Sequence, residues 1–151
     1  MLHDLYKDIQ RALSLQNVKK LNELLLLAKS YAKFTINKTF GSSAQSFLHI
    51  CAATGNLELC QILVDEGILI DLEDSNKNTP LLTACESGSY YVCQFLLGRF
   101  ANPNHQNLTG STGLHIASKN GYVNILELLC INSAKLDVLD CDGNSPLSKT
   151  F

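Results

Sequence analysis

Ser46–Gly67 reads SFLHICAATGNLELCQILVDEG, a stretch in which a serine, a histidine, two cysteines and a glycine sit at set places among leucines and alanines. Such a composition suits a Cys/His catalytic site or a packed helical unit, and recurrence of the pattern elsewhere in the chain separates the two readings. Leu48, Leu81, Leu114 and Leu147 lie 33 residues apart, and Gly55, Gly88 and Gly121 keep the same spacing. On that register SFLHICAATGNLELCQILV, TPLLTACESGSYYVCQFLL and TGLHIASKNGYVNILELLC are three versions of one unit, and SPLSKTF opens a fourth.

Each slot of the unit has a physical reading. Ser46, Thr79, Thr112 and Ser145 suit an N-cap, accepting a backbone N–H that the first helical turn leaves unpaired. Pro80 and Pro146 then fall at the first helical position, where a missing N–H costs nothing. Gly55, Gly88 and Gly121 end the short helix in a left-handed conformation and turn the chain back. Leu59, Ile62 and Leu63, with Val92, Phe95 and Leu96 and with Ile125, Leu128 and Leu129 in register, give a second helix its apolar stripe. Between these helical hairpins lie IDLEDSNKN, PNHQNLTGS and LDVLDCDGN, rich in turn-forming residues; Gly110 and Gly143 share a turn slot that Lys77 fills in the other copy, at small expected cost.

This pattern resembles the ankyrin repeat, with its T-P-L-H-x-A-A-x-x-G signature and 33-residue period. The resemblance is strong over residues 46–151 and weak over 1–45. It implies a mainly α solenoid of stacked β-hairpin and α-hairpin units, with full repeats at 46–78, 79–111 and 112–144 and a truncated one from 145 to 151. Residues 1–45 are expected to form a degenerate capping repeat. RALSLQNVKKLNELLLLA lays on AATGNLELCQILVDEG with Gln16 at the glycine slot, and about six extra residues lengthen its second helix or the first finger. Asp4, Lys7, Asp8, Arg11, Lys19 and Lys20 supply the polar outer face an end repeat needs.

The register also places the residues that tempt a catalytic reading. Cys51 aligns with Ala84 and Ala117, Cys85 with Ala52 and Ser118, and Cys60 with Cys93 and Leu126, which makes them packing residues; Cys141 falls on a finger tip. The six cysteines include no CxxC pair and match no common zinc spacing. His49 and His115 share a slot, and the resemblance gives that histidine a structural bond to the capping residue or the next loop. GSTG at 110–113 lacks the lysine of a phosphate-binding loop. Glu73, Asp74 and Glu86 are expected to face solvent as recognition residues. Neither a catalytic constellation nor a cofactor or metal site is read from the sequence.

The longest apolar run, Leu24 to Ala28, is five residues, far short of the roughly 20 that span a bilayer. Its opening residues lack the basic and apolar regions of a secretory signal, so a cytoplasmic or nuclear location is expected. Residues 1–45 carry seven Lys/Arg and three Asp/Glu, whereas 46–151 carry five and eleven. The finger-bearing part has the wrong sign for nucleic acid and the right one for a basic protein or peptide.

A stack of hairpins presents an extended surface and suits gripping another protein. The expected function is a non-catalytic interaction module, a scaffold or adaptor, with a regulatory domain of a larger enzyme or channel as the alternative. The family's contact slots map onto Ala53 and Thr54, Glu86 and Ser87, and Lys119 and Asn120 of the first helices. In the fingers they map onto Glu73, Ser75, Asn76 and Asn78, then Gln106, Leu108, Thr109 and Ser111. Tyr90 is expected in the core and Tyr91 exposed on the far side. The half repeat at the end leaves apolar surface uncovered, so the solenoid is expected to continue beyond Phe151 or to be covered there by a partner or second copy.

Overall fold

The computed structural model describes residues 1–148; the part of the last expected helix that falls on 149–151 lies outside them. Among the described residues eight helices run in antiparallel pairs: α1 (Leu2–Ser14) with α2 (Val18–Ala28), α3 (Phe47–Thr54) with α4 (Leu57–Asp65), α5 (Pro80–Ser87) with α6 (Tyr90–Gly98), and α7 (Gly113–Asn120) with α8 (Val123–Ile131). The first helices form an inner layer, α1 on α3 on α5 on α7, and the second helices an outer one, α2 on α4 on α6 on α8. Within each layer sequential repeats pack on one another, the nearest-neighbour architecture of a solenoid.

Local chemistry sets each boundary. Ser46 and Thr79 accept backbone N–H groups from His49 and Leu82 at the starts of α3 and α5. Gly55, Gly88 and Gly121 take φ of 71°, 71° and 72° at the ends of α3, α5 and α7. Gln16 occupies the same slot after α1 with φ 53°, so the first repeat turns by the same device without a glycine. Asn17 and Asn56 then cap α2 and α4, accepting from Lys20 N and Leu59 N.

Of the leucines that define the period, Leu48, Leu81 and Leu114 are at most 1% exposed, whereas Leu147 near the end of the described chain is 37% exposed. Ile9, Leu13, Leu21, Leu59, Leu63, Leu96 and Ile125 continue the same core through both layers. Cys51, Cys60, Cys85 and Cys93 lie buried within it. Tyr91 is 68% exposed while Tyr90 packs partly buried against the core.

The extra residues of the first repeat divide between two places. α2 has 11 residues against 9 in α4, and the remainder lengthens the connection from Lys29 to Lys38 rather than the finger. That connection is tied down by aromatic packing. Phe34 stacks on Tyr6 at 5.1 Å, Phe40 lies 4.8 Å from Phe47, and the Tyr6 hydroxyl accepts from Thr35 N at 2.8 Å.

The first finger is a short antiparallel hairpin, β1 (Thr39–Phe40) paired with β2 (Gln45–Ser46). Fingers two to four narrow to a turn closed by two backbone bonds each: Asp74 N to Asn78 O with Lys77 N to Asp74 O, and the same pair from Asn107 and from Asp140. Their turn slot is left-handed throughout: Ala44, Lys77, Gly110 and Gly143 have φ of 51°, 56°, 74° and 77°. Lys77 therefore adopts the glycine conformation, and finger two keeps the common geometry. At the end of the described chain Pro146 is buried, and Ser148 N bonds Ser145 O in a turn.

Candidate functional site

The finger turns explain how the edge of the fingers is held. Asp74, Asn107 and Asp140 share one repeat slot, and each side-chain oxygen accepts from the N–H groups two and four residues on. Asp74 is thus half-buried and engaged in building its own turn, which corrects the expectation of a purely solvent-facing carboxylate. Successive tips are also joined: Ser75 N donates to Ser43 O, Leu108 N to Asn76 O and Cys141 N to Thr109 O, at 2.8–2.9 Å. The four fingers form one continuous hydrogen-bonded edge.

Two histidines tie that edge to the inner helices. Ser46 N donates to His49 Nδ1 at 3.1 Å, so Nδ1 carries no proton and Nε2–H donates to Asn78 O at 2.8 Å. His115 repeats the arrangement, with Thr112 N on its Nδ1 and Asn144 O beside its Nε2. Each ring joins a helix start to the base of the next finger. Burial holds the His49 imidazole below its ordinary value of 6.5, opposed by the bond to Asn78 and by the Asp74 carboxylate.

Between fingers and inner helices runs a groove of about 420 Å³. Its finger side comprises Ser43, Gln45, Asp74, Asn76, Asn78, Asn107, Thr109 and Ser111, and its helix side Leu82, Thr83, Glu86, His115, Ile116 and Lys119. Asn76, Asn78, Glu86, Thr109, Ser111 and Lys119 were expected at the surface from the sequence, and the fold brings them to this one groove.

The other expected residues lie around it, several with internal partners. Ala53 is exposed at the end of α3, and Thr54 donates its hydroxyl to Cys51 O. Ser87 Oγ bonds Ala52 O of the preceding repeat and Ala84 O of its own. Gln106 Nε2 donates to Gly110 O and Leu139 O, joining fingers three and four. Glu73 Oε1 lies 3.5 Å from His105 Nε2, which itself faces Lys77 O at 2.9 Å. Ser75, Leu108 and Asn120 are exposed.

Sequence reasoning missed Ser43 and Gln45 of finger one and Leu82, Thr83 and Ile116 of the inner helices. The signal for finger one was present: Gly41 and Ala44 stand one period before Asp74 and Lys77.

Two of the buried thiols, Cys51 and Cys85, have the opposite of nucleophilic character. A hydrogen bond from Cys60 and burial push the Cys51 thiol far up, and Cys93, 3.9 Å from Cys85 between sulfurs, does the same to Cys85. A thiol held protonated is neither nucleophile nor metal ligand. Among the described residues no group of three His, Cys, Asp or Glu is placed to hold a metal, and no helix is long and apolar enough to cross a membrane.

A family model of ankyrin repeats in three copies matches residues 10–107, and a single-repeat model matches 109–141. The chain belongs to the ankyrin-repeat family. It is similar to the B-cell lymphoma 3 protein homolog of Mus musculus, 34% identical over 66% of this chain and 22% of that protein. The probable E3 ubiquitin-protein ligase XBOS33 of Oryza sativa subsp. japonica is 34% identical over 81% of this chain and 25% of its own length. NF-kappa-B inhibitor alpha of Homo sapiens is 36% identical over 56% of this chain and 29% of its own. The chain thus spans less than a third of the length of these relatives, and what it shares with them is an interaction fold.

Proposed function

We propose that this chain is a non-catalytic scaffold or adaptor module that holds a segment of a partner protein along the groove between its fingers and inner helices. The observation that carries this reading is the groove itself, to which three successive fingers and two inner helices contribute. Asn76 and Thr109 offer exposed polar side chains, while Leu82 and Ile116 supply an apolar floor. That combination suits a peptide whose backbone is hydrogen-bonded and whose side chains pack between helices.

Asp74 and Glu86 face the same groove as Lys119, Glu73 lies 3.5 Å from His105 on the same finger edge, and the repeats from Ser46 onward carry an acidic excess. We propose a partner segment of basic character, met in the cytoplasm or nucleus. A second reading has its own support. Relatives named as an E3 ubiquitin-protein ligase and as a cation channel share the fold over a minor part of their length, 25% and 8% respectively. The module then serves as the regulatory part of such a larger protein.

The test compares the intact chain with a Glu73→Lys/Glu86→Lys variant as baits in a pull-down, with thermal melts of both. Partners captured by the intact chain and lost by an equally stable variant support the groove. Identical capture by both overturns its basic-partner assignment.

A further inference from the structure

Along the groove between fingers and inner helices the charge changes sign, and it does so in one step of the period. Finger two leads into α5 and finger three into α7. The finger slot holds Asp74 in the first and Asn107 in the second, while the equivalent helix slot holds Glu86 on α5 and Lys119 on α7. All four residues line the groove. Its α5 level therefore carries two carboxylates, and its α7 level an ammonium beside a neutral amide. The preceding unit has Ala53 in the helix slot, so the repeat itself does not require these charges.

Glu86 and Lys119 are both exposed, and neither side chain forms an ion pair or hydrogen bond with another described residue. Asp140, the acid of finger four, lines an adjoining depression with Lys119, and its carboxylate closes its own turn by accepting from Asp142 N and Asn144 N. The groove thus offers a partner an acidic position and, one repeat further, a basic one.

The distance between the two positions selects a backbone. α5 packs directly on α7, and packed helices lie about 8–10 Å apart. A β-strand turns residues three apart to opposite faces. A polyproline II helix, with about three residues per turn and a rise of about 3.1 Å, brings residues i and i+3 to one side roughly 9 Å apart. An α-helix reaches that distance only at about seven residues and uses its backbone groups internally, whereas polyproline II leaves them free. The finger wall can use free backbone groups: the side chains of Gln45 and Asn76 line the groove and bond to no other described residue.

We propose, resting on the groove reading above, that the partner segment lies there in polyproline II conformation with a basic residue at Glu86 and an acidic residue three positions away at Lys119. The otherwise basic segment thus carries one acidic residue, placed by Lys119.

The test measures fluorescence anisotropy of labelled proline-rich peptides with the intact chain at low ionic strength. The peptides are identical except at two positions three apart, which hold lysine and glutamate in either order, two lysines or two glutamates; a further peptide sets the lysine and glutamate side by side. The better of the two lysine/glutamate orders is expected to bind tightest, with the like-charged and side-by-side peptides weaker by about twofold to fivefold, the range of exposed ion pairs. Lys119→Glu makes both levels acidic and is expected to move the preference to the two-lysine peptide. Glu86→Lys is expected to remove the advantage of the lysine/glutamate peptide over the two-glutamate one. Thermal melts are expected to show both variants folded as the parent is. Equal affinity of the parent for all the peptides, or an unchanged order of preference in Lys119→Glu, overturns the assignment of charge and spacing and leaves the groove standing. No measurable binding of any peptide overturns the groove reading with it.

Discussion

His49 shows how one side chain can decide a local structure and its response to pH. Its Nδ1 accepts from Ser46 N, and protonation there replaces an acceptor with a second donor facing the first. Because burial holds the folded imidazole below 6.5, the unfolded chain takes up a proton first as pH falls through that value. The His49 contribution to stability is therefore present above pH 6.5 and lost as pH drops below it. Urea midpoints at neutral and mildly acidic pH check this: His49→Leu, the residue the chain itself places at Leu82, should lose less stability on acidification than the parent does. An equal loss in both would assign the acid sensitivity to other groups. Gly110 gives a second residue-scale expectation. A Cβ there would lie 2.8 Å from Cys141 N, a backbone atom of the next finger, at a φ of +74°. Gly110→Ala should destabilise by about 1–3 kcal/mol, seen as a lowered melting temperature, although Lys77 tolerates the same torsion in a neighbouring finger.

At the scale of the element, the helical hairpins were legible because each depends on residues that act locally. A capping hydroxyl, a glycine slot and an apolar stripe at helical spacing mark the start, turn and buried face of each pair. Even Gln16 could be placed at a glycine slot, because Val18, Leu21, Leu24 and Leu25 preserved the stripe beyond it. What the sequence did not disclose depends on neighbours distant along the chain. Nothing in the run from Lys29 to Lys38 announces that Phe34 will stack on Tyr6. Ser87 and Gln106 fill contact slots by register, yet their side chains bond across to adjacent repeats. Glu86 and Lys119 fill such slots too, and they line the groove. The hairpin core carries its own prediction. Leu81 is 1% exposed on α5, with α3 on one side and α7 on the other, so Leu81→Ala should cost about 2–5 kcal/mol through lost packing and the cavity left behind. Chemical denaturation measures this, and a cost below about 1 kcal/mol would mean that the central repeats repack around the gap.

Across the whole molecule the decisive feature is an uneven charge laid on a rigid scaffold. Residues 1–45 carry four more basic than acidic side chains, and the remainder six more acidic than basic, so the repeats from Ser46 onward attract cations while residues 1–45 repel them. The joined finger edge holds Asp74 in place, and Glu86 faces the same groove from α5. Such fixed charges act on diffusional encounter more than on the lifetime of the complex, because exposed carboxylates are still solvated and screened. Association of a basic partner segment with the intact chain should therefore slow steeply as salt rises, with dissociation changed much less. Glu73→Lys with Glu86→Lys should produce the same slowing at low salt and flatten the salt dependence, without altering the unfolding midpoint by more than about 0.5 kcal/mol, the usual limit for surface substitutions. Stopped-flow association at several ionic strengths separates the outcomes. If the double variant associates as fast as the parent at low salt, the acidic fingers contribute solubility alone, and recognition of the partner rests on the apolar floor at Leu82 and Ile116.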